Sequence, residues 1–118
     1  MNEEIDGLLV LPGENPVAVR FENTVKGIQS LIGGYFQAIP YRLGEDIWLL
    51  CDVDGKYKNL DPNFMFQGDI FVGPVLFLGT NALGDDFDDL SHADMNLISG
   101  FMPMLREKMR DALEIASI

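Results

Sequence analysis

The side chains best able to do chemistry in this chain are few and scattered. There is one cysteine, Cys51, and one histidine, His92. A catalytic thiol needs a base beside it. Cys51 instead ends the apolar run Ile47-Trp48-Leu49-Leu50-Cys51, where a buried, inert thiol is expected. His92 opens a C-terminal helical stretch and reads as a surface or half-buried histidine. A structural zinc site takes about four Cys or His ligands, which one of each cannot supply. No metal or other cofactor is expected. Asp52-x-Asp54-Gly55 has the look of a calcium loop, but that register puts Leu50 at the first ligand position, and leucine cannot ligate. A hairpin turn is the better reading. Gly33-Gly34 is not a phosphate loop, because no Lys-Ser/Thr follows and the pair closes a helix instead of opening one. An enzyme built on Asp52, Asp54 and Asp61 would need two of these carboxylates together in a cleft with their pKa values driven apart.

Binding chemistry is better represented. Asn59 and Asn63 frame a polar loop, read as lying beside Tyr35, Tyr41 and Tyr57; rings and amides suit a nucleotide-like ligand. Asn and Asp also cap turns, so a purely structural role competes. Asp85, Asp86, Asp88 and Asp89 form an acidic loop, read as an interaction surface; a solvated loop is the plain alternative. Met104 belongs to a methionine-rich helical stripe that fits either core packing or a partner-facing surface, including that of a homodimer.

Charge narrows the classes. The formal net charge is −11, which repels phosphate backbones, so direct nucleic-acid binding is not expected. Solubility, a basic partner protein, or mimicry of nucleic acid would each use such a surface. No apolar run approaches the roughly 20 residues of a membrane span, and no membrane role is expected. The acidic start Met1-Asn2-Glu3-Glu4 lacks the positive region of an export signal, and a lone cysteine suits a reducing compartment, so a cytoplasmic location is expected.

The elements that would hold these groups follow from periodicity. Gly7 to Pro12 is a nearly continuous apolar strand, and Val17 to Phe21 alternates as a half-buried strand hairpinned to it. Asn23 or Thr24 caps a helix whose stripe is Val25, Ile28, Leu31 and Ile32, and Gly33-Gly34 ends it. Gly27 inside that helix implies a close approach to the sheet. Tyr35 to Tyr41 is a strand marked as an edge by Pro40, and after a turn at Gly44-Glu45-Asp46, Ile47 to Asp52 is the expected centre of the sheet. Asp54-Gly55 should return the chain as a short strand, Lys56 to Leu60, and Asp61-Pro62 should start one helical turn. Asp69 to Gly79 reads as one long strand bent at Gly73-Pro74. Thr80 to Asp89 is a loop, and Ser91 caps one or two helices with Phe101, Leu105, Met109, Ala112, Leu113 and Ala116 on the core face.

Several of these segments resemble one family. They are Leu8 to Pro12, Ile28 to Ile39 with its double glycine, Cys51-Asp52-Val53-Asp54-Gly55-Lys56, Asn59 to Asn63, and Asp69 to Val75 with Gly73-Pro74. Together, over residues 7 to 79, they are similar to small domains of unknown function from bacterial genomes, phages and plasmids. That family's pattern runs Leu-Gln-x-x-Val-Gly-Gly-x-Ile-Glu, Asp-Glu-x-Gly, Asn-x-x-x-Asn and Ile-x-Gly-Pro. Gln37 stands where the family often has Glu. The resemblance implies a compact α/β domain and an origin in mobile elements; it implies no activity. The helical segment 91–118 lies outside it.

The expectation is a single α+β domain over 1–118: a mostly antiparallel twisted sheet of five or six strands with two main helices packed on it. The expected function is non-enzymatic, an acidic accessory protein binding a host or partner protein of basic character. A small-molecule, nucleotide-like binding module is the alternative.

Overall fold

The computed structural model describes residues 3–41, 46–81, 83–84 and 86–116. The expected turn at Gly44-Glu45 and the expected surface residue Asp85 lie outside the described residues. The main sheet contains β1 (Glu4–Val10), β2 (Val17–Glu22), β3 (Phe36–Tyr41), β4 (Ile47–Asp52) and, after a separate hairpin, β7 (Val75–Thr80). The hairpin is β5 (Pro62–Phe66) with β6 (Asp69–Val72). The sheet order is β2-β1-β7-β4-β3, antiparallel throughout, and the two-residue β8 (Phe87–Asp88) pairs with the far end of β7. With α1 (Val25–Ile32) and α2 (His92–Ala116), this is the expected α+β architecture.

Strand alternation divides the core between the two faces of the sheet. On one face, Ile5, Leu50, Leu76 and Leu78 pack with Phe21 and with Ile28 and Ile32 of α1. On the other, Leu8, Val10, Leu49, Val75 and Phe77 meet Phe64 and Phe71 of the hairpin and Ile98, Met102 and Leu105 of α2. Phe64 joins the two layers, with its ring 5.5 Å from Phe71 and 6.1 Å from Phe77. Tyr41 packs between Phe66 and Phe77 at 4.5 and 5.1 Å. Its hydroxyl is buried without a partner among the described residues, and burial pushes its pKa up to about 12.

Local chemistry accounts for the termini of α1. Thr24 Oγ1 accepts from Gly27 N at 3.0 Å, and Gly33 closes the helix in the left-handed region at φ 93° with its N–H on Gln29 O. Gly27 lies against the end of β2: a Cβ there would stand 2.0 Å from Glu22 O.

Four expectations are corrected. Lys56 to Leu60 is not a strand; residues 53–59 form successive turns, and Asn59 takes φ 55°. Asp61 to Phe66 is not helical, because Phe64, Met65 and Phe66 pair with Phe71, Ile70 and Asp69 as β5. Asp69 to Gly79 is two strands of different sheets, and β7 rather than β4 is central. The C-terminal segment is, as expected, capped by Ser91, and it forms one helix with Pro103 inside it; only its stripe is corrected. Its buried stripe is Met95, Ile98, Met102, Leu105 and Met109, so the expected stripe ran too far toward the C-terminus: Leu113 is 40% exposed.

Candidate functional site

The residues expected to bind ligand do not converge. Asn63 is fully buried: its Nδ2 donates to Val10 O and Gly73 O, both at 2.8 Å, and its Oδ1 accepts from Arg106 Nη2 at 3.1 Å. That is a structural strut. Asn59 is an exposed turn residue. Tyr35 and Tyr57 are 73% and 91% exposed, and they line different hollows beside the turn that follows β4.

The Tyr57 hollow, of about 170 Å³, is lined by Gln37, Cys51, Lys56 and Asp69 among others. Lys56 Nζ and Asp69 Oδ1 pair there at 2.7 Å. Cys51 is buried; burial chiefly pushes its thiol pKa up, against a hydrogen bond from Gln37. A thiol held in that form is a poor nucleophile.

The Tyr35 hollow is larger and open, about 780 Å³, and is lined by Lys26, Gln29, Ser30, Gly33, Gly34, Tyr35, Asp54 and Lys58. Beneath it lies Asp52, whose side chain is 1% exposed and takes Lys58 Nζ on Oδ2 at 2.6 Å and Asp54 N on Oδ1 at 2.8 Å. A Cβ on Gly34 would stand 2.6 Å from Lys58 Nζ and 2.9 Å from Asp52 Oδ2. Glycine at 34 is therefore what lets the ion pair sit under the end of α1. Burial alone would push the Asp52 carboxyl up; the bonds from Lys58 and Asp54 and the ammonium charge outweigh it and hold the pKa below the usual carboxylate range.

A depressed folded-state pKa means that this stabilisation is complete above the unfolded value, about 3.9. It is lost as pH falls through the folded value. Lys58→Met should cost about 2 kcal/mol at pH 7, since Asp52 stays buried while the lysine end is partly hydrated. Urea midpoints measured from pH 7 to pH 3 should show the gap to the unsubstituted protein narrowing as Asp52 protonates.

The acidic residues gather at another corner. Asp86 accepts from Asn81 N and Thr80 Oγ1 on its carbonyl and from Phe87 N on its carboxylate. Asp89 Oδ1 accepts from Asp6 N at 2.7 Å, which ties β1 to the end of β8. Asp88 Oδ1 accepts from Asp89 N. Asp86 also borders a cleft of about 230 Å³ with Ala38, Trp48, Thr80, Gly84 and Phe87. The cause is geometric. An eight-residue α1 spans about 12 Å, whereas five strands span about 19 Å. The helix packs over Leu50, Leu76 and Leu78 and leaves the β3 corner of its face uncovered. There Ala38 is exposed, and Trp48 is half-buried with its ring edge-on to Phe87 at 6.5 Å. Alternation places Trp48 on the α1 face, but only the length of α1 in three dimensions shows it uncovered. Met104 is 43% exposed on α2.

The family is decided over most of the length. The model of the Domain of unknown function (DUF3846) matches residues 5–102. The chain belongs to this family. The DUF3846 match runs beyond the resemblance over 7 to 79 and takes in α2 as far as Met102. No curated protein and no solved structure matches the chain. The residues that carried the resemblance meet at one end of this DUF3846 domain: Gly34 over Asp52 and Lys58, Gly55 against Val72 and Leu60, Gly73 against Leu60, and Asn63 on Gly73 O. Among the described residues, no helix is long and apolar enough to cross a membrane. Also among them, no group of three or more His, Cys, Asp or Glu could hold a metal ion.

Proposed function

We propose that this domain works by binding, not catalysis, and that it docks a basic segment of a partner protein at the Trp48 cleft. One observation carries the reading: a half-buried tryptophan flooring an apolar cleft beside Asp86, with Asp88 and Asp89 next in the chain, on a body of net charge −11. Tryptophan is enriched among residues that dominate binding energy. Asp86 at the cleft wall, on a body of strong negative charge, speeds encounter with a partner of opposite charge and disfavours others. At about 230 Å³ the cleft falls below the roughly 300–1,000 Å³ typical of small-ligand pockets. It has room for one large aliphatic or aromatic side chain. The occupant is thus a peptide segment with one apolar anchor flanked by Lys or Arg. The resemblance to domains of phages and plasmids supports an accessory role, with a host protein as the partner.

Selection from a random peptide library at low salt tests this. Enriched sequences should combine Lys or Arg with a single large apolar residue, and Ala38→Arg, which fills the exposed side of the cleft, should abolish the enrichment. Enrichment without that pattern, or unchanged by Ala38→Arg, would overturn the reading.

A further inference from the structure

The Tyr35 hollow is a second concave surface, remote in chemistry from the acidic corner. Two of the eight Lys and Arg residues of this acidic chain, Lys26 and Lys58, line it, with Asp54 as the one carboxylate on its wall among the described residues. It is a broad, open depression of about 780 Å³, wide enough for a small ligand to lie across its surface. Lys58 is pre-organised: one ammonium proton is committed to buried Asp52, while its side chain remains 42% exposed. Gly34 presents no side chain to cover it. Ser30 Oγ donates to Gly27 O at 2.7 Å, so its remaining capacity is as an acceptor. Gln29 adds an amide, and the Tyr35 ring, 73% exposed, offers a flat face.

We infer that this hollow binds a small ligand made of a flat ring bearing one anionic group, of the nucleoside monophosphate type. The ring stacks on Tyr35 and the anion meets Lys58 and Lys26. Lys26 and Lys58 outnumber Asp54 on the wall, but Lys58 shares its charge with buried Asp52, so the local positive charge is small and the surrounding field is negative. A polyphosphate is therefore disfavoured relative to a monophosphate. This site is separate from the Trp48 cleft, and either can fail without the other.

The test is a titration of isotope-labelled protein with adenosine monophosphate, adenosine, inorganic phosphate and adenosine triphosphate, followed by amide chemical shifts. Saturable shifts confined to residues 26–35 and 53–58 are expected, strongest with the monophosphate. Tyr35→Ala, at a position too exposed to affect folding, should weaken binding at least about fivefold through lost stacking. Lys26→Ala should weaken the monophosphate and leave adenosine unchanged. Adenosine binding as tightly as its monophosphate, triphosphate binding tighter, an unaltered Tyr35→Ala, or no saturable shift at millimolar ligand would each overturn the inference.

Discussion

Asn63→Ala should lower the unfolding free energy by about 3 kcal/mol and the melting temperature by roughly 10 °C. The side chain reaches three separate parts of the fold. Its amide donates to the carbonyl at the end of β1 and to the one between β6 and β7, and its oxygen takes the guanidinium of Arg106 from α2. Arg106 continues the connection, donating to Leu11 O at 2.7 Å, to Glu14 O and to Asn63 O at 3.3 Å. Alanine would take a donor from each of two buried carbonyls, each a loss of about 1–3 kcal/mol, partly relieved by local rearrangement. Asn63→Asp preserves shape but sets a carboxylate against the same two carbonyls, so it should also destabilise, although its attraction to Arg106 is stronger. Arg106→Lys should cost about 1–2 kcal/mol, because one ammonium cannot span acceptors that a planar fork reaches together. Urea unfolding followed by circular dichroism reads all three. An Asn63→Asp variant as stable as the unsubstituted protein would show that shape, not donation, is what matters there.

Gly27→Ala and Gly100→Ala should move stability in opposite directions, although both replace a helical glycine. Helix propensity alone favours alanine by about 1 kcal/mol at either position. At Gly100 of α2 a Cβ would meet nothing within 4 Å among the described residues, so the gain should appear as about 0.5–1 kcal/mol. At Gly27 the new methyl would sit 2.0 Å from Glu22 O and 2.9 Å from Glu22 C, both backbone atoms that cannot swing aside. Either α1 tilts off Phe21, Leu50 and Leu76, or the end of β2 shifts. Overpacking of this kind costs about 1–3 kcal/mol or more and should exceed the propensity gain. Thermal melts of the two variants side by side would contradict the account if both rose.

The legible parts of the fold were those written in local chemistry. Thr24 and Gly33 bracket α1 because a hydroxyl cap and a left-handed glycine act within a turn of their own position. The alternation of β2 survives at Val19 and Phe21 but not at Val17, which is 57% exposed, and β3, with Pro40, is an edge of the sheet as marked. What misled was also local. Asp54-Gly55 is a strong hairpin signal, yet the chain makes a longer run of turns there and leaves for a second sheet. Asp61-Pro62 has the chemistry of a helix start, but Phe64 gains more by stacking against Phe71 and Phe77 in a hairpin than a single helical turn could return. The α2 stripe was displaced because the last turns of a 25-residue helix overrun the body beneath it. Both hollows depend on distances between elements: how far α1 reaches across the sheet, and how closely Gly34 lies over Lys58. Neither distance has a signature in residue spacing.

Trp48 is the only tryptophan in the chain, so its emission reports directly on the cleft proposed to receive the partner. The decisive measurement is that emission during titration with a basic peptide carrying one large apolar residue, beside the same peptide with that residue replaced by glycine. Proposed docking predicts a saturable spectral shift with the anchored peptide, weakened by added salt and absent with the glycine version. Equal responses to both peptides, or none to either while binding is seen by another method, would contradict it.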